Sequence, residues 1–590
     1  MKAAPWIVSA AFAAAMTVPV SGEGWRGFRG QERQGVGVAE QSPLEWSASQ
    51  HILWKTAVRG AGHSSPVITG NRVFLTTAYQ SEQSARMLGL ARGVRLTLCS
   101  IALVLWLLLP PARARWQGMA AGLLVALLVL LALADAELFR FARSPARAWL
   151  GAAGAAMIGL FVSAYGLERS AATRKMTAAA LAALGVVLVV GMPGGFSQAR
   201  PILLALGVMA GGALVGAVWL LIGAFAPRAP LAGRQPALSS AWRVAVIAAA
   251  AAGFFTTTVL MPRTGWVHAV VGIDRSSGAV LWVREGLRAP RTPVHRTNSQ
   301  ATPTPVTDGE RVFAYFGNPG MMAVSAGGEV LWTNTRLPFE SIHGVGASPV
   351  LAQNTLVVSG FTAAGPYMTA LDAATGRELW RTARPDVHPE FGDSRTLAVL
   401  DIGGRPTVVV WGMDELTGHD LGTGEVVWRY RHGANGRMGS MVASIVTNGD
   451  AIYLPLENGM IALSAAKLAA NQDPVLWTSR GGSSGLATPV LYDGRIFAVS
   501  SVGVASCTDA QTGAILWRSR LSGEYYSSPV AMAGRIYFTN ESGLTTVVAA
   551  APKYEALAEN AIDEPVSATI APVDGHLYVR GHGHLFRIAP

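Results

Sequence analysis

Short alternations of apolar and polar residues run through residues 23–91 and 265–590. Segments such as Asp493-Gly-Arg-Ile-Phe497 and Gly534-Arg-Ile-Tyr-Phe538 are separated by turns rich in Gly, Asp and Asn. Alternation with a period of two, bounded by such turns, is typical of β-strands. We therefore predict that both stretches are β-rich.

One phrase recurs along these stretches: an Asp, a turn containing Gly, two apolar residues and a Trp. The complete copies contain Asp274, Gly278 and Trp282; Asp372, Gly376 and Trp380; Asp420, Gly424 and Trp428; and Asp509, Gly513 and Trp517. Weaker copies end at Trp54, Trp332 and Trp477, and Leu557 stands where an eighth Trp is expected. From Trp282 onward the copies lie about 40 to 50 residues apart, a spacing typical of propeller blades. We expect each Trp to dock its blade against the next blade, and each Asp and Gly to close the preceding turn. These residues are predicted to be structural rather than catalytic.

A second phrase keeps the same spacing and places a Pro-Val pair before a polar turn and a β-rich run. Its copies are Ser65-Pro66-Val67, Ser348-Pro349-Val350, Thr488-Pro489-Val490, Ser528-Pro529-Val530 and Ala571-Pro572-Val573. Two phrases repeating in step predict eight blades of short strands.

The phrases and their spacing resemble the PQQ-binding-like propeller repeat family. The similarity lies in Trp25-Arg-Gly-Phe28-Arg29-Gly30, Gly60-Ala-Gly-His63-Ser-Ser-Pro66-Val67 and the Asp-x-x-Thr-Gly-x-x-x-Trp turns. This family includes the scaffold lipoprotein of the bacterial outer-membrane barrel-assembly machinery and, more distantly, quinoprotein dehydrogenases. The resemblance implies an eight-bladed ring and says much less about activity.

Residues 92–264 do not follow the repeat. Their apolar runs span about 94–110, 117–135, 148–166, 176–193, 202–226 and 242–260. A helix needs about 20 apolar residues to cross a bilayer, so we predict a bundle of about six transmembrane helices inserted into the first blade. The buried helices of a soluble domain are the alternative. The predicted fold class is thus an all-β eight-bladed propeller interrupted by an α-helical membrane bundle.

The N-terminal segment predicts export of the chain. In residues 1–22, Lys2 precedes an apolar stretch that ends near Val20-Ser21-Gly22. This pattern is typical of a secretory signal peptide, and an uncleaved anchor is the alternative. We therefore expect a multi-pass protein of the bacterial inner membrane, with the lipid bilayer as a partner and the propeller on the periplasmic side.

The net charge of +11 does not predict nucleic-acid binding. Most of the basic excess lies in residues 92–264, where it would meet lipid headgroups, and the β-rich stretches are nearly neutral. A nucleic-acid site requires a basic face on the globular part.

Few residues suggest chemistry. A quinoprotein dehydrogenase, as that family looks, needs a pair of adjacent cysteines and oxygen ligands for Ca²⁺, but the two cysteines here, Cys99 and Cys507, are far apart. Asp393, Asp414 and Glu415 match no known ligand pattern. His576, His582 and His584 could bind a metal, but a polar strand edge is the favoured interpretation and no metal site is predicted. His63 and His343 are expected at the same end of the ring, beside a small-molecule pocket or as partners in turn hydrogen bonds. Tyr525-Tyr526 could form an aromatic rim, with packing inside a blade as the favoured alternative.

The sequence therefore favours a non-enzymatic scaffold that binds a protein partner at the propeller face, without a cofactor. A membrane-bound oxidoreductase using PQQ with Ca²⁺ is the first alternative. A ligand sensor or transporter accessory protein is the second.

Overall fold

The computed structural model describes residues 24–30, 34–81, 265–384, 394–432, 442–456, 459–482 and 485–590. These residues belong to one compact unit, which combines the chain before residue 86 with the chain after residue 262. They form eight sheets, each built on four antiparallel strands, and one of these sheets also carries a short fifth strand in parallel. The first strands of successive sheets contact one another, so the sheets are arranged around a central channel as the blades of a propeller.

The blades follow the order of the chain, and their strands run from the channel outwards. Blade 1 contains β3 (Val67–Thr69), β4 (Arg72–Gln80), β5 (Gly265–Asp274) and β6 (Val280–Pro290). Blade 2 contains β7 (Val306–Thr307), β8 (Arg311–Tyr315), β9 (Met321–Ser325) and β10 (Val330–Asn334). Blade 3 contains β11 (Val350–Ala352), β12 (Thr355–Thr362), β13 (Gly365–Asp372) and β14 (Glu378–Ala383). Blade 4 contains β15 (Ala398–Ile402), β16 (Arg405–Trp411), β17 (Glu415–Asp420) and β18 (Val426–Arg431).

The second half of the ring follows the same plan. Blade 5 contains β19 (Val446–Thr447), β20 (Ala451–Leu456), β21 (Gly459–Ser464) and β22 (Val475–Arg480), with helix α1 (Ala465–Ala469) between the last two strands. Blade 6 contains β23 (Val490–Tyr492), β24 (Arg495–Val499), β25 (Val504–Asp509) and β26 (Ile515–Arg520). Blade 7 contains β27 (Val530–Met532), β28 (Arg535–Thr539), β29 (Leu544–Ala549) and β30 (Ala556–Ala561). Blade 8 contains β31 (Ala571–Val573), β32 (His576–Arg580), β33 (His584–Ile588) and, from the start of the chain, β2 (Ile52–Ala57).

The ring closes in blade 8, which combines both ends of the chain. The C-terminal segment supplies three strands, and β2 pairs with β33 as the fourth, from Ile52 opposite Ile588 to Ala57 opposite His584. The chain before β2 also crosses the ring, because β1 (Val36–Gly37) adds in parallel to β27 of blade 7. Closure of the ring therefore depends on contacts between residues that lie hundreds of positions apart.

Tryptophans on the outer strands dock most blades onto the next blade. The Trp380 ring covers Gly424, where an added Cβ would approach the indole to 2.6 Å. Its Nε1 donates to the Leu421 carbonyl at 2.9 Å. Trp54, Trp282, Trp332 and Trp477 cover the glycines Gly278, Gly328, Gly376 and Gly513 in the same way. Each of these glycines has a positive φ, so a larger residue would be strained as well as obstructed.

Two blades use a different surface for docking. Trp428 packs with Ala465 and Leu468 of α1, since this helix replaces the Gly-containing turn in blade 5. Trp517 donates to the Ala551 carbonyl at 3.1 Å and contacts Tyr554 edge-on. In blade 7 the strand register places Ala558 at the Trp position, because Leu557 lies in the bulge between Ala556 and Ala558. The eighth equivalent position is therefore Ala558 rather than Leu557.

The Asp of the repeat caps the turn against which the Trp packs. Oδ1 of Asp274 accepts hydrogen bonds from the backbone N–H groups of Ser276 and Ser277 at 3.0 and 2.8 Å. These bonds and the two serine hydroxyls lower the pKa of Asp274 to about 2. Asp372, Asp420 and Asp509 accept equivalent bonds in their turns.

A chain of hydroxyl groups links the blades beside the channel. In each blade, a Ser or Thr lies two residues before the first strand. In blades 1 to 7 its backbone N–H donates to the hydroxyl of the corresponding residue in the next blade, at 3.0 to 3.2 Å. The chain runs through Ser65, Thr304, Ser348, Thr396, Ser444, Thr488, Ser528 and Thr569. In blade 8 the equivalent residue is thus Thr569, two positions before the Ala571-Pro572-Val573 phrase.

The helical part of the predicted fold class requires correction. Within the described ranges, no helix is long and apolar enough to cross a membrane. The one helix found there, α1, has five residues, whereas about 20 are needed to span the hydrocarbon core. The fold class shown is an eight-bladed, nearly all-β propeller. The predicted multi-pass localisation is contradicted by the same finding, which also gives no support to the bilayer as a partner. The six apolar runs and residues 1–22 lie outside the described residues.

The strands that flank residues 82–264 are direct neighbours. β4 and β5 pair along their lengths, from Arg72 opposite Asp274 to Gln80 opposite Trp266. Blade 1 is thereby completed by two segments separated by a long stretch of sequence.

This pairing yields a prediction about residues 92–264. Replacing them with a short Gly/Ser linker should leave a β-rich protein with one cooperative thermal transition, because closure entropy depends only weakly on loop length. Circular dichroism during heating measures this transition. A linker replacing residues 82–274, which also deletes β5, should abolish it. Loss of cooperativity in the first variant would show that residues 92–264 are required for the ring.

The docking contacts yield a second prediction. Trp380→Ala should lower the free energy of unfolding by about 3 kcal/mol, because it removes a large packed side chain and leaves a cavity between blades 3 and 4. Leu379→Ala is the matched control, since Leu379 is 43% exposed and surface substitutions usually change stability by less than about 0.5 kcal/mol. Denaturant titration followed by tryptophan fluorescence compares the two. Equal effects would contradict the docking role.

Candidate functional site

The two ends of the ring differ in what they carry. One end holds the turns between the first and second strands and between the third and fourth strands, and we call it the turn end. The other end, the connection face, holds the second-to-third-strand hairpins and the connections between blades. The Asp, Gly and Trp residues of the repeat lie at or near the turn end. The histidines His63, His295, His343, His582 and His584 lie at the connection face.

Two histidines join blade 8 to the connection that leads into blade 1. The rings of His63 and His582 stack 5.1 Å apart with an interplanar angle of 16°. Nε2 of His582 lies 3.1 Å from the hydroxyl of Ser567. His63 precedes β3, whereas His582 lies in the hairpin between β32 and β33. The stack therefore connects the two blades at which the ring closes.

A second histidine stack joins the next two connections. The rings of His295 and His343 lie 4.8 Å apart at 20°. The His295 N–H donates to the His343 carbonyl at 3.1 Å. Asn298 Nδ2 donates to the carbonyls of His343 and Val345 at 2.7 and 3.2 Å. The sequence placed His63 and His343 at one end of the ring; the structure does so too, and gives each a stacking partner that the sequence did not reveal.

Burial favours the neutral form of His63 in the first stack. The pKa of His63 falls to about 4, chiefly because of burial and then because of the nearby charges of His582 and Arg580. His63 Nδ1 is buried and finds no hydrogen-bond partner within the described ranges. The pKa of His295 is lowered as well, by burial and by Arg296. At neutral pH the His63 and His295 rings are therefore mainly uncharged.

Two arginines are buried among the inner strands. Arg580 Nη1 donates to the Ser64 hydroxyl at 2.7 Å and to the Thr76 carbonyl at 2.6 Å, which links blade 8 to blade 1. Arg29 donates to the carbonyls of Thr488, Pro489 and Pro529 in blades 6 and 7. Burial lowers the pKa of each guanidinium to about 9, so both are charged at neutral pH. Arg29 lies in the Trp25–Gly30 motif that carries the family resemblance, but the contacts of its side chain with blades 6 and 7 cannot be predicted from the sequence.

The proposed cluster of three C-terminal histidines is divided between the two ends. His576 lies at the turn end, where Nδ1 is 2.8 Å from the Asp574 carbonyl. His584 lies at the connection face, where Nδ1 is 2.9 Å from a carboxylate oxygen of Glu564. A strand of about five residues is about 17 Å long, and β32 separates His576 from the other two. Within the described ranges, no group of three or more His, Cys, Asp or Glu side chains could hold a metal ion.

The other candidates have ordinary structural surroundings. Tyr525 is fully buried between blades 6 and 7, whereas the hydroxyl of Tyr526 donates to Glu524 at 2.7 Å. Glu415 pairs with Arg429 at 2.9 Å. The backbone carbonyl of Asp414 accepts from His432 at 3.1 Å. Asp393 lies outside the described residues.

A quinone cofactor with calcium stays a hypothesis of the sequence. Its cation takes oxygen ligands from carboxylates, amide and backbone carbonyls, and within the described ranges no group of three or more His, Cys, Asp or Glu side chains lies together. Cys507 lies buried in β25 within blade 6, and burial raises the pKa of its thiol to about 12. This cysteine is part of the blade core.

The first stack predicts a pH dependence of stability. Because the pKa of His63 is lowered from 6.5 to about 4 in the folded state, its contribution is complete above pH 6.5 and is lost as the pH falls towards 4. The full loss is on the order of 3 kcal/mol. The variant His63→Phe keeps an aromatic ring that does not titrate, so the free energy of unfolding of this variant should change less over this pH range. The control is His51→Phe at an exposed position, and its pH profile should match that of the parent chain. Denaturant midpoints at pH 7.5 and 4.5 measure the difference. Parallel pH profiles for the parent and His63→Phe would contradict this role.

The similarity of this chain to known proteins lies mainly in its propeller blades. Residues 322–467 and 464–554 match a family model described as outer membrane protein assembly factor BamB. No curated protein matches the chain. Similar solved structures include BamB from Moraxella catarrhalis, with 16% identity and a TM-score of 0.41, covering 55% of this chain and 91% of that one. They also include quinohemoprotein alcohol dehydrogenase from Comamonas testosteroni, with 13% identity and a TM-score of 0.38, covering 54% of this chain and 72% of that one.

The family match and the structure agree on the architecture. Residues 322–554 cover blades 3 to 6 and parts of blades 2 and 7, and the described residues continue the same four-stranded plan through the whole ring. The repeats in residues 322–554 are similar to those of the family described as outer membrane protein assembly factor BamB.

Proposed function

We propose that the propeller is a non-enzymatic scaffold that binds a protein partner at its connection face. The observation that carries this proposal is the cross-linking of successive blade connections by the two histidine stacks. Around the stacks, Asn298, Ser567 and Glu564 tie loops to one another. A surface that is already ordered loses little conformational entropy on binding.

The chemistry of the face suits a protein partner. Arg296 and His295 are exposed, and Tyr526 is partly exposed. Arg296 lies in the connection into blade 2, and Tyr526 lies in the connection into blade 7. Arg and Tyr are enriched among residues that dominate protein–protein binding. The proposal involves no cofactor.

Site-specific photocross-linking tests the proposal. A photoreactive amino acid at position 296 should form an adduct with one abundant partner in an extract of the cells that produce the chain. The same amino acid at Arg377, an exposed position at the turn end, should not. Asn298→Ala should reduce the adduct about tenfold, because it loosens the loop at the second stack. Mass spectrometry identifies the adducts. The same partner captured equally at both positions would contradict a binding face at this end.

A further inference from the structure

The outer strands of blades 4, 5 and 6 carry an exposed basic edge. In β26, Leu516, Arg518 and Arg520 are exposed, whereas the residues between them are buried or half-buried. Because side chains alternate between the two faces of a strand, these three share one face. β22 presents Leu476, Thr478 and Arg480 in the same manner. We call these two strands, together with β18 and its exposed Arg429 and Arg431, the basic edge.

Several charges of the basic edge have no acidic partner. Arg429 pairs with Glu415, but Arg431, Arg480 and Arg520 form no ion pair with any carboxylate of the described chain. The side chain of Arg518 donates to the Arg480 carbonyl rather than to an acid. Exposed arginines without a counter-charge are available to an acidic ligand.

The backbone of these strands is also available. Among the described strands, β18, β22 and β26 each pair on one side only, with β17, β21 and β25. The opposite side of each strand presents N–H and C=O groups that have no strand partner. Such edges accept an additional strand from another chain.

An exposed arginine at the end of the outer strand distinguishes these blades. β18, β22 and β26 end in Arg431, Arg480 and Arg520. At the same position β2, β14 and β30 end in Ala57, Ala383 and Ala561. The position directly after the docking residue is basic in other blades as well, as Arg381 of β14 and Lys55 of β2 show. The terminal arginines of blades 4 to 6 are therefore a feature of this surface and not of the repeat.

The basic edge is continuous with the connection face. Arg520 ends β26, and the next residue, Leu521, donates its N–H to the Gly503 carbonyl in the hairpin between β24 and β25. That hairpin belongs to the connection face. A partner bound at this face can therefore extend a segment of its chain along the outer strand of blade 6.

We propose that the basic edge binds an acidic, extended polypeptide segment, which adds as a strand to an outer strand of blades 4 to 6. Alternate residues of the segment place carboxylates against Arg518 and Arg520, and an apolar residue contacts Leu516. This inference rests on the proposed function, because it assigns the chemistry of one part of the partner. The unpaired backbone supplies affinity, and the arginines select an acidic sequence.

Peptide binding to the full chain tests the proposal. The probe is a fluorescein-labelled peptide of about ten residues that alternates Glu with Val, long enough to pair with a six-residue strand. Fluorescence anisotropy should show saturable binding that weakens as salt is added. Arg518→Glu with Arg520→Glu should weaken binding more than about tenfold, and Arg518→Gln with Arg520→Gln should weaken it less. A peptide that alternates Lys with Val should not bind.

The matched control changes the same charge at the turn end. Arg377→Glu with Arg405→Glu should leave peptide binding unchanged, and melting temperatures show that each variant is folded. Equal weakening by both double variants would overturn the proposal, because net charge would then explain the binding. Absence of peptide binding would overturn it too, and adducts at position 296 would then show that the proposed function stands alone. If sedimentation shows that the basic edge instead joins two copies of this chain, the acidic-segment proposal is also wrong.

Discussion

Closure of the ring is the constraint on which the rest of the structure depends. Seven blades are built from consecutive strands or from strands flanking residues 82–264, but blade 8 is complete only when β2 pairs with β33. Arg580 and the stack of His63 on His582 join the same two blades near the channel. Each blade presents an apolar face that is buried only by its neighbours, so an open ring would expose two such faces to water. Closure therefore stabilises every blade and fixes the connections relative to one another.

Much of the ring could be predicted from sequence because its docking elements are local. The Asp and Gly of each copy lie in one turn, and the Trp lies in the strand that follows it. Their spacing can therefore be recognised from the sequence alone. The register of the outer strand is harder to predict from sequence. We assigned Leu557 to the docking position, but the bulge places Ala558 there. The hydroxyl chain that ends at Thr569 was not predicted, since its bonds join residues about one blade apart. The membrane prediction followed mainly from the length of the apolar runs, and the described part of the chain contains no helix that could cross a bilayer.

The candidate site was less predictable, for a geometric reason. Proximity in sequence suggested that His576, His582 and His584 cluster, but a short strand carries the chain from one end of the ring to the other. The contact of His63 with His582 joins residues from opposite ends of the chain and leaves no local pattern. Arg29 reaches blades 6 and 7 for the same reason. Binding surfaces of a propeller are assembled from many connections, so they depend on the closed ring rather than on any one motif.

Hydrogen exchange of the full chain, followed by mass spectrometry, tests ring closure most directly. If β2 completes blade 8, amides that it pairs with β33 should exchange as slowly as those between β32 and β33, because both sets open only when the blade unfolds. Peptides covering Ile52–Ala57 and His584–Ile588 report the two strands. Rapid exchange in Ile52–Ala57, at the rate of an unstructured peptide, alongside slow exchange in β32 would contradict closure by the N-terminal strand.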